Sequence, residues 1–413
     1  MTTATADGLG TEVSRRDRGF GIFGAVLGVL GLVLFSGAEG QTTFVLRLQN
    51  AAVDIPDLTV SATGLIVAVA LAGIALGSLQ AVRGSDGREV LYLGVTVILF
   101  LLAFLTWGAA GESVNVISLL RSTIRSSTPL ALGALAGVLC EKAGIINIAI
   151  EGQLLAGALV AAVASSIAGP WVGLLAAMFG ALAIGMILAV LSIRFRADQV
   201  IVGVVLVVFS GGLTAFLIQQ LPATLNQPTR FRAFQIPVLS DIPIIGPLLF
   251  GQTLIVYLAL AGVAFVTWLL FSTRWGLRVR SVGEKPKAAD TVGVSVPRMR
   301  YQAVAVGSLF AGMGGAFYTL DSSGQFSRDM TNGAGFIALA AVLVGRHHPV
   351  GAFGAAIVFG FAEALATAMS VIGVPISSNL LETAPYVVTI LVVAGVVGRH
   401  RVPAAGGQPY VTE

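Results

Sequence analysis

The chain has 413 residues, 56% hydrophobic and only 11% charged, against roughly 25% charged in a soluble domain. That excludes a soluble globular enzyme, and a net charge of +4 carried in short loops excludes a nucleic-acid-binding stripe. A single cysteine, Cys140, excludes an intrachain disulfide and reads as a small packed hydrophobe.

Apolar runs of about 20 residues recur along the chain, the length that crosses a hydrocarbon core of roughly 30 Å. The fold class is therefore all-α and polytopic, with about twelve transmembrane segments, some of them short or re-entrant. Residues 1–19 read as a polar, disordered tail ending in Arg15, Arg16 and Arg18. The first span follows from Phe20 to Phe35, and Ser36-Gly37-Ala38 after it resembles a signal-peptidase site, with the uncleaved reading favoured. A loop with Glu39, Asp54, Asp57 and Arg47 comes next, then spans over 59–82 and 90–107. Residues 112–128 read as an amphipathic segment lying at the interface, with Arg121 and Arg125 one helical turn apart. Further spans are expected at 129–141, 145–167, 170–193, 197–219, 250–272, 299–320, 334–345, 349–371 and 383–398.

Counting Lys and Arg by side, 18 of 24 fall on the face that holds both termini, and six (Arg47, Arg121, Arg125, Arg230, Arg232, Arg328) on the other. The positive-inside rule then makes both termini cytoplasmic. The strongest contributor is 274–300, with seven basic residues against Glu284 and Asp290. Within it, 287–294 suits a short helix, with Pro286 at its first turn and Gly293 at its stop. Such a helix between two spans needs something cytosolic to dock on. The loop Gln219 to Gly251 is the largest on the opposite face and carries five prolines. It reads either as a stiff docking surface or as a plain connector.

The run Gly283-Glu-Lys-Pro-Lys-Ala-Ala-Asp-Thr-Val-Gly293 resembles the coupling-helix loop of permease subunits of bacterial ABC importers. Gly144-Ile-Ile-Asn-Ile-Ala-Ile-Glu-Gly152 and Thr331-Asn-Gly-Ala-Gly-Phe-Ile-Ala-Leu-Ala340 agree with the branch that includes branched-chain amino acid, ribose and nucleoside permeases, the nucleoside type most of all. Lys285 departs from the Asn that this family usually has before the proline. The resemblance covers roughly residues 115 to 400. It implies an inner-membrane permease whose ATPase-coupling residues are Gly283, Glu284, Pro286, Ala288, Ala289, Asp290 and Gly293. It also implies a partner ABC ATPase that uses ATP and Mg, a second permease subunit, identical or homologous, and an extracytoplasmic solute-binding lipoprotein. This chain itself then binds no cofactor. On the same resemblance 20–89 is a two-span hairpin added to a ten-span core at 90–400, and 401–413 is a cytoplasmic tail. The hairpin is either an interface with a partner subunit or lipid, or a tolerated appendage. The small-xxx-small spacings Gly24 to Gly28 and Gly133 to Gly137 are weak signals in a chain with 51 glycines.

Charged groups within spans tend to face a cavity or a partner. Glu151 lies one helical turn beyond Asn147, so both are expected on one helix face, and Glu363 falls mid-span. Gly144 and Gly152 suggest a helix break between them. Asn147, Glu151, Thr331, Asn332 and Glu363 therefore form the candidate substrate path, with Thr331 or Asn332 as the alternative cap of the helix that follows. A purely structural tie between broken helices is the alternative for both glutamates. Arg346-His347-His348 falls in a tight turn and lacks metal-ligand spacing, and His400 reads as an anchor. No G-x-x-x-x-G-K-[ST], G-x-S-x-G or H-E-x-x-H occurs, so neither ATP hydrolysis nor a nucleophile is expected here. Nucleosides lead as the solute, simple sugars follow and branched-chain amino acids come third. A proton-coupled secondary transporter is the rival class.

Overall fold

The computed structural model describes residues 14–47, 56–237, 239–240, 242–374, 376–396 and 402–411. Of the expected disordered tail 1–19, residues 1–13 lie outside the described residues, as do Asp54, Arg399, His400 and Arg401, whereas 15–19 are already helical. Contacts divide the chain into two compact units, 1–117 with 369–376, and 118–368 with 377–413.

In the first unit, α1 (Arg15–Phe35), α2 (Ala62–Arg83) and α3 (Glu89–Gly108) pack together. α3 is contacted by both α1 and α2, so the three helices form one packed group. Its apolar centre is Phe35, Ala62, Ile66, Val69 and Ala103, with the Phe35 ring 5.7 Å from Phe104 and 5.4 Å from Trp107. Gly24 and Gly28, weak signals in the sequence, both lie against α2: a Cβ on Gly28 would meet the Ile74 nitrogen at 2.6 Å, and one on Gly24 would lie 3.5 Å from the Gly77 Cα. Close backbone approach is how small residues join helices where no water is available to drive association.

The all-α expectation is exceeded by a small sheet in the order β2-β1-β3. Strand β1 (Gln41–Val45) pairs antiparallel with β2 (Leu58–Ser61) and parallel with β3 (Ser113–Asn115). These strands of five, four and three residues are too short to display the two-residue alternation that marks a strand.

The second unit holds α4 (Val116–Lys142, from Ser118 on), α5 (Ile150–Ala168), α6 (Pro170–Ala189), α7 (Gln199–Gln220), α8 (Leu254–Ser272), α9 (Arg274–Glu284), α10 (Pro286–Thr291), α11 (Val296–Phe317), α12 (Ala334–Val344), most of α13 (Pro349–Ile372), α14 (Ser378–Leu381) and α15 (Ala384–Val396). Ten helices among the described residues are long and apolar enough to cross a membrane, and α12 is a shorter apolar helix. With α15, that gives the twelve apolar segments expected from the sequence. The span ends differ in several places: α1 begins at Arg15, α5 at Ile150 and α8 at Leu254, where Phe20, Ile145 and Phe250 were expected. Residues 116–142 form one helix, so the segment read as interfacial is its first half.

α4, α5 and α11 are the most enclosed spans, and their faces supply the core residues Leu132, Leu139, Ile150, Leu154 and Ala303. Gly315 of α11 is pressed onto α5, where a Cβ would sit 2.3 Å from the Leu154 carbonyl oxygen. At one end of this unit a charge cluster around the buried Asp321 ties three helices. Arg125 of α4 pairs with Asp321 at 2.5 Å, Thr253 donates to the other Asp321 oxygen, and Arg121 donates to the Gly251 carbonyl at 2.7 Å. Asp321 lies in a wider π-helical turn, Tyr318–Ser322, that extends α11. The proline-rich loop is stitched to the same end: Asn226 exchanges two hydrogen bonds with the backbone of Phe326, and Ser165 donates to the Thr229 carbonyl.

Gly77→Ile offers a direct check of the first unit, since a Cβ there would lie 2.3 Å from the Ala25 nitrogen. The expected outcome is a loss of about 3 kcal/mol or more from the α1–α2 contact, read as a lower unfolding temperature in detergent and faster proteolysis of 36–61. An unchanged temperature would contradict the packing described.

Candidate functional site

The expected helix break is present in the second unit and is longer than one turn. After α4 ends at Lys142, Gly144 takes φ +83° and the chain does not become helical again until Ile150. A second break separates α11 from α12, where Asp329, Asn332 and Gly333 all have positive φ. A helix that starts inside the bundle leaves its first N–H groups without partners, and in an apolar setting that costs several kcal/mol per group. Glu151 supplies the remedy. Its Oε1 accepts from the Thr331 hydroxyl at 2.5 Å and from the Gly333 N–H at 2.9 Å, and its Oε2 accepts from the Gly335 N–H at 2.6 Å. Gly335 is required by this contact, because a Cβ there would meet the Glu151 nitrogen at 2.4 Å.

Two sequence expectations change here. The cap of α12 is neither Thr331 nor Asn332: the N-cap position is Gly333, and the capping carboxylate arrives from another helix. Asn147 and Glu151 do not share a helix face either, because Asn147 lies in the break before α5. Asn147 is fully buried and donates to the Gln153 Oε1 at 3.3 Å and to the Cys140 sulfur at 3.6 Å, and Gln153 continues the chain of bonds to Ser308. Glu151, Asn147 and Thr331 thus form the buried frame of the break.

Asn332 and Glu363 are different, since both present surface. Phe336, one turn after Asn332, is also exposed, as is Tyr386 of α15, whose hydroxyl donates to the Asn332 carbonyl at 2.6 Å. Glu363 and Glu151 are close enough to both Tyr318 and Tyr386 to act on them electrostatically. The result is a face at mid-span depth with a carboxylate, a carboxamide and two aromatic rings. Stacking and hydrogen bonding on one surface suit a flat, hydroxyl-bearing solute. Tyr386, Phe336 and Tyr318 were missed in the sequence, where an aromatic in an apolar run carries no distinguishing signal.

The second candidate region is the basic loop. α9 packs against α8 and α11, and α10 is the short helix anticipated, with Pro286 in its first turn and Gly293 at φ +84° beyond its end. The expected coupling residues divide by burial. Gly283 and Ala289 face the core, and a Cβ on Gly283 would strike the Lys142 carbonyl oxygen at 2.2 Å. Glu284, Lys285, Lys287 and Ala288 face outward, with Pro286 and Asp290 half-buried. Val292, not singled out in the sequence, is 77% exposed on a polar loop, where no hydrocarbon accounts for it.

Beside this loop, the turn after α12 carries Arg346 and His347, both at φ +55°. His347, read as an ordinary turn residue, is fully buried and pairs with Glu141 of α4. His348 stacks on Phe271 at 4.8 Å, and burial followed by the nearby Lys142 charge pushes its imidazole pKa down. No group of three or more metal-ligating side chains occurs among the described residues.

Comparison with known proteins bears on the same stretch. A family described as "Branched-chain amino acid transport system / permease component" matches residues 119–396. The guanosine ABC transporter permease protein NupQ of Bacillus subtilis (strain 168) is 38% identical over 314 residues, covering 73% of this chain and 98% of its own. The nucleoside ABC transporter permease protein NupC of Lactococcus lactis subsp. cremoris (strain MG1363) is 37% identical, covering 72% and 99%. A putative glucose ABC transporter permease protein, TsgC13 of Haloferax volcanii, is 32% identical, covering 71% and 98%. No solved structure matches the chain.

Glu151→Gln tests the frame. The amide keeps one acceptor but sets its N–H₂ against an N–H donor, at a cost of about 2 kcal/mol. The expected outcome is faster hydrogen exchange at Gly333 and Gly335 with a lower unfolding temperature. Unchanged exchange would remove Glu151 from its capping role.

Proposed function

The chain belongs to the permease-component family of branched-chain amino acid transport systems, and from that premise we propose that it is the transmembrane subunit of an ABC importer for nucleosides. In this reading it lies in the inner membrane of a bacterium with both termini cytoplasmic, as the distribution of Lys and Arg supports. It works with a separate ATPase, with a second permease subunit, identical or related, and with an extracytoplasmic solute-binding lipoprotein. ATP hydrolysis belongs to the partner. The chain itself supplies the path and the mechanical link.

The observation that carries the path is Glu363. A carboxylate exposed halfway along α13 is costly against lipid, and such groups face an aqueous cavity or a partner. With Asn332, Phe336 and Tyr386 beside the broken helix, this face offers ring stacking for a base and acceptors for its N–H groups or for ribose hydroxyls. Glu151, Asn147 and Thr331 act behind it by holding the break open. Nucleosides rank above simple sugars because NupQ and NupC, named for guanosine and nucleosides, align at 38% and 37% identity, above the 32% of the two glucose permeases. Aromatic faces also suit a base better than an aliphatic side chain.

Transport follows as alternating access. Closure of the ATPase moves α10, which is exposed at Lys287 and Ala288 yet anchored at Ala289. Through the α9–α11 contacts that movement reaches the helices around the break. Branched-chain amino acids remain the third solute class.

The decisive experiment is uptake of labelled guanosine, uridine and ribose by cells with and without this subunit, with and without ATP depletion. Loss of ATP-dependent nucleoside uptake on deletion is expected. Loss of ribose uptake alone would move the solute to sugars, and uptake that follows the proton gradient and ignores ATP would replace the importer by a secondary transporter. Glu363→Gln is expected to lower nucleoside uptake about tenfold at unchanged membrane abundance, the loss of one charge-assisted hydrogen bond. Ala288→Arg is expected to uncouple hydrolysis from uptake without unfolding the subunit, whereas Ala289→Arg, aimed into the core, is expected to destabilise it.

A further inference from the structure

Residues 402–411 lie beyond the 119–396 match to the permease family, yet they are bound at four separate points around the basic loop. The Ala405 N–H donates to the Gly283 carbonyl at 2.9 Å, at the end of α9. The Gly407 N–H donates to the Gly144 carbonyl at 3.2 Å, in the break after α4. Arg300, in the first turns of α11, is 1% exposed and donates to the Gln408 carbonyl at 3.0 Å and to the Ala143 carbonyl at 3.2 Å. Finally, the Tyr410 hydroxyl donates to the Asp290 carboxylate at 2.7 Å, on α10 itself.

These contacts are not those of a loose tail. A buried guanidinium needs acceptors for its N–H groups, and one of the two carbonyls that serve Arg300 comes from this segment. Pro403 and Ala405 are buried, and a Cβ on Gly144 would sit 3.1 Å from both the Ala405 oxygen and the Arg300 Nη2, so the break is shaped to receive the segment. α10 has only six residues, too few for stability of its own. Its position is therefore set by what touches it. Ala289 fixes its inner side, and Tyr410 fixes Asp290 near its C-terminal end. A cavity of about 640 Å³ lies between Glu284 to Ala288 on one side and Ala404, Ala405 and Gln408 to Val411 on the other.

We propose that residues 402–411 are a strap that positions α10 for its ATPase, with Tyr410 as the positioning residue, so that force applied to α10 reaches α11 and the helix break and is not lost in local rocking. This rests on the importer reading above. The strap joins α9, α10, α11 and the end of α4, so it turns a short mobile helix into part of one body.

The test uses the full-length subunit assembled with its ATPase and second permease in proteoliposomes, with labelled guanosine as the probe. Tyr410→Phe removes one hydroxyl and preserves the ring. The expected result is a fall of about fivefold in guanosine imported per ATP hydrolysed, in line with loss of one hydrogen bond to a charged group, together with faster hydrogen exchange across 286–294. A second variant ending at residue 401 is expected to show both effects more strongly. Unchanged coupling and unchanged exchange in Tyr410→Phe overturn the strap, even where the truncated chain fails to assemble. Guanosine uptake that needs no ATP in the unaltered protein overturns the importer reading instead, and the exchange data still decide whether Tyr410 holds α10.

Discussion

The second unit depends on one buried carboxylate. Breaking a helix in the middle of an apolar bundle exposes N–H groups that neither lipid nor neighbouring hydrocarbon satisfies. Glu151 receives two of these, from Gly333 and Gly335, together with the Thr331 hydroxyl. Both of its oxygens point to the positive end of α12, where the helix dipole favours an acceptor. Two costly features, a buried carboxyl group and an open helix end, become mutually satisfied. The irregular backbone at 329–333, with its positive φ values, persists because this contact holds its far side.

The same helix is held at its other end by a second acid. His347, just past the C-terminus of α12, is buried against Glu141 near the end of α4. α12 has only 11 residues, and each end is pinned to a different neighbour, α5 at the start and α4 at the finish. One end adjoins the face with Asn332, Phe336 and Glu363, and the other adjoins Lys142, Gly283 and the basic loop. The polar face and the basic loop are thus joined by packed, hydrogen-bonded elements.

Charge and small residues divide the labour elsewhere. Arg125 and Asp321 tie α4 to α11 at the end opposite the basic loop, where Thr253 adds the start of α8. Along the spans, glycine does the joining through backbone approach, at Gly315 against α5 in one unit and at Gly28 and Gly77 between α1 and α2 in the other. Apolar side chains facing lipid gain nothing from association with each other, so close packing and a few buried polar ties carry the specificity.

Much of this was legible in the amino-acid order. Twelve apolar segments, the break after Gly144, the short helix between Pro286 and Gly293 and the exceptional status of Glu151 and Glu363 follow from hydropathy, proline and glycine placement and the cost of charge in hydrocarbon, all of which are local quantities. The family resemblance read at 283–293, 144–152 and 331–340 also lies within the matched residues 119–396. What stayed hidden is non-local. Asp321 sat at the margin of a span and gained meaning only when Arg125, 196 positions away, reached it. His347 read as a turn residue because Glu141 is its partner only in space. The assignment of Asn147 and Glu151 to one helix face failed because the break extends to Ala149, and helical periodicity does not cross it. Ala288 and Ala289 are equivalent in sequence but opposite in burial, and nothing in 402–411 announces that its carbonyls and its tyrosine complete Arg300 and Asp290. By itself, then, the sequence determined the class, the spans and the places where a polar group is too costly to be incidental. Only the tertiary structure decided which polar group satisfies which, because a hydrogen bond is specified by position in space and a linear pattern records just the need for one.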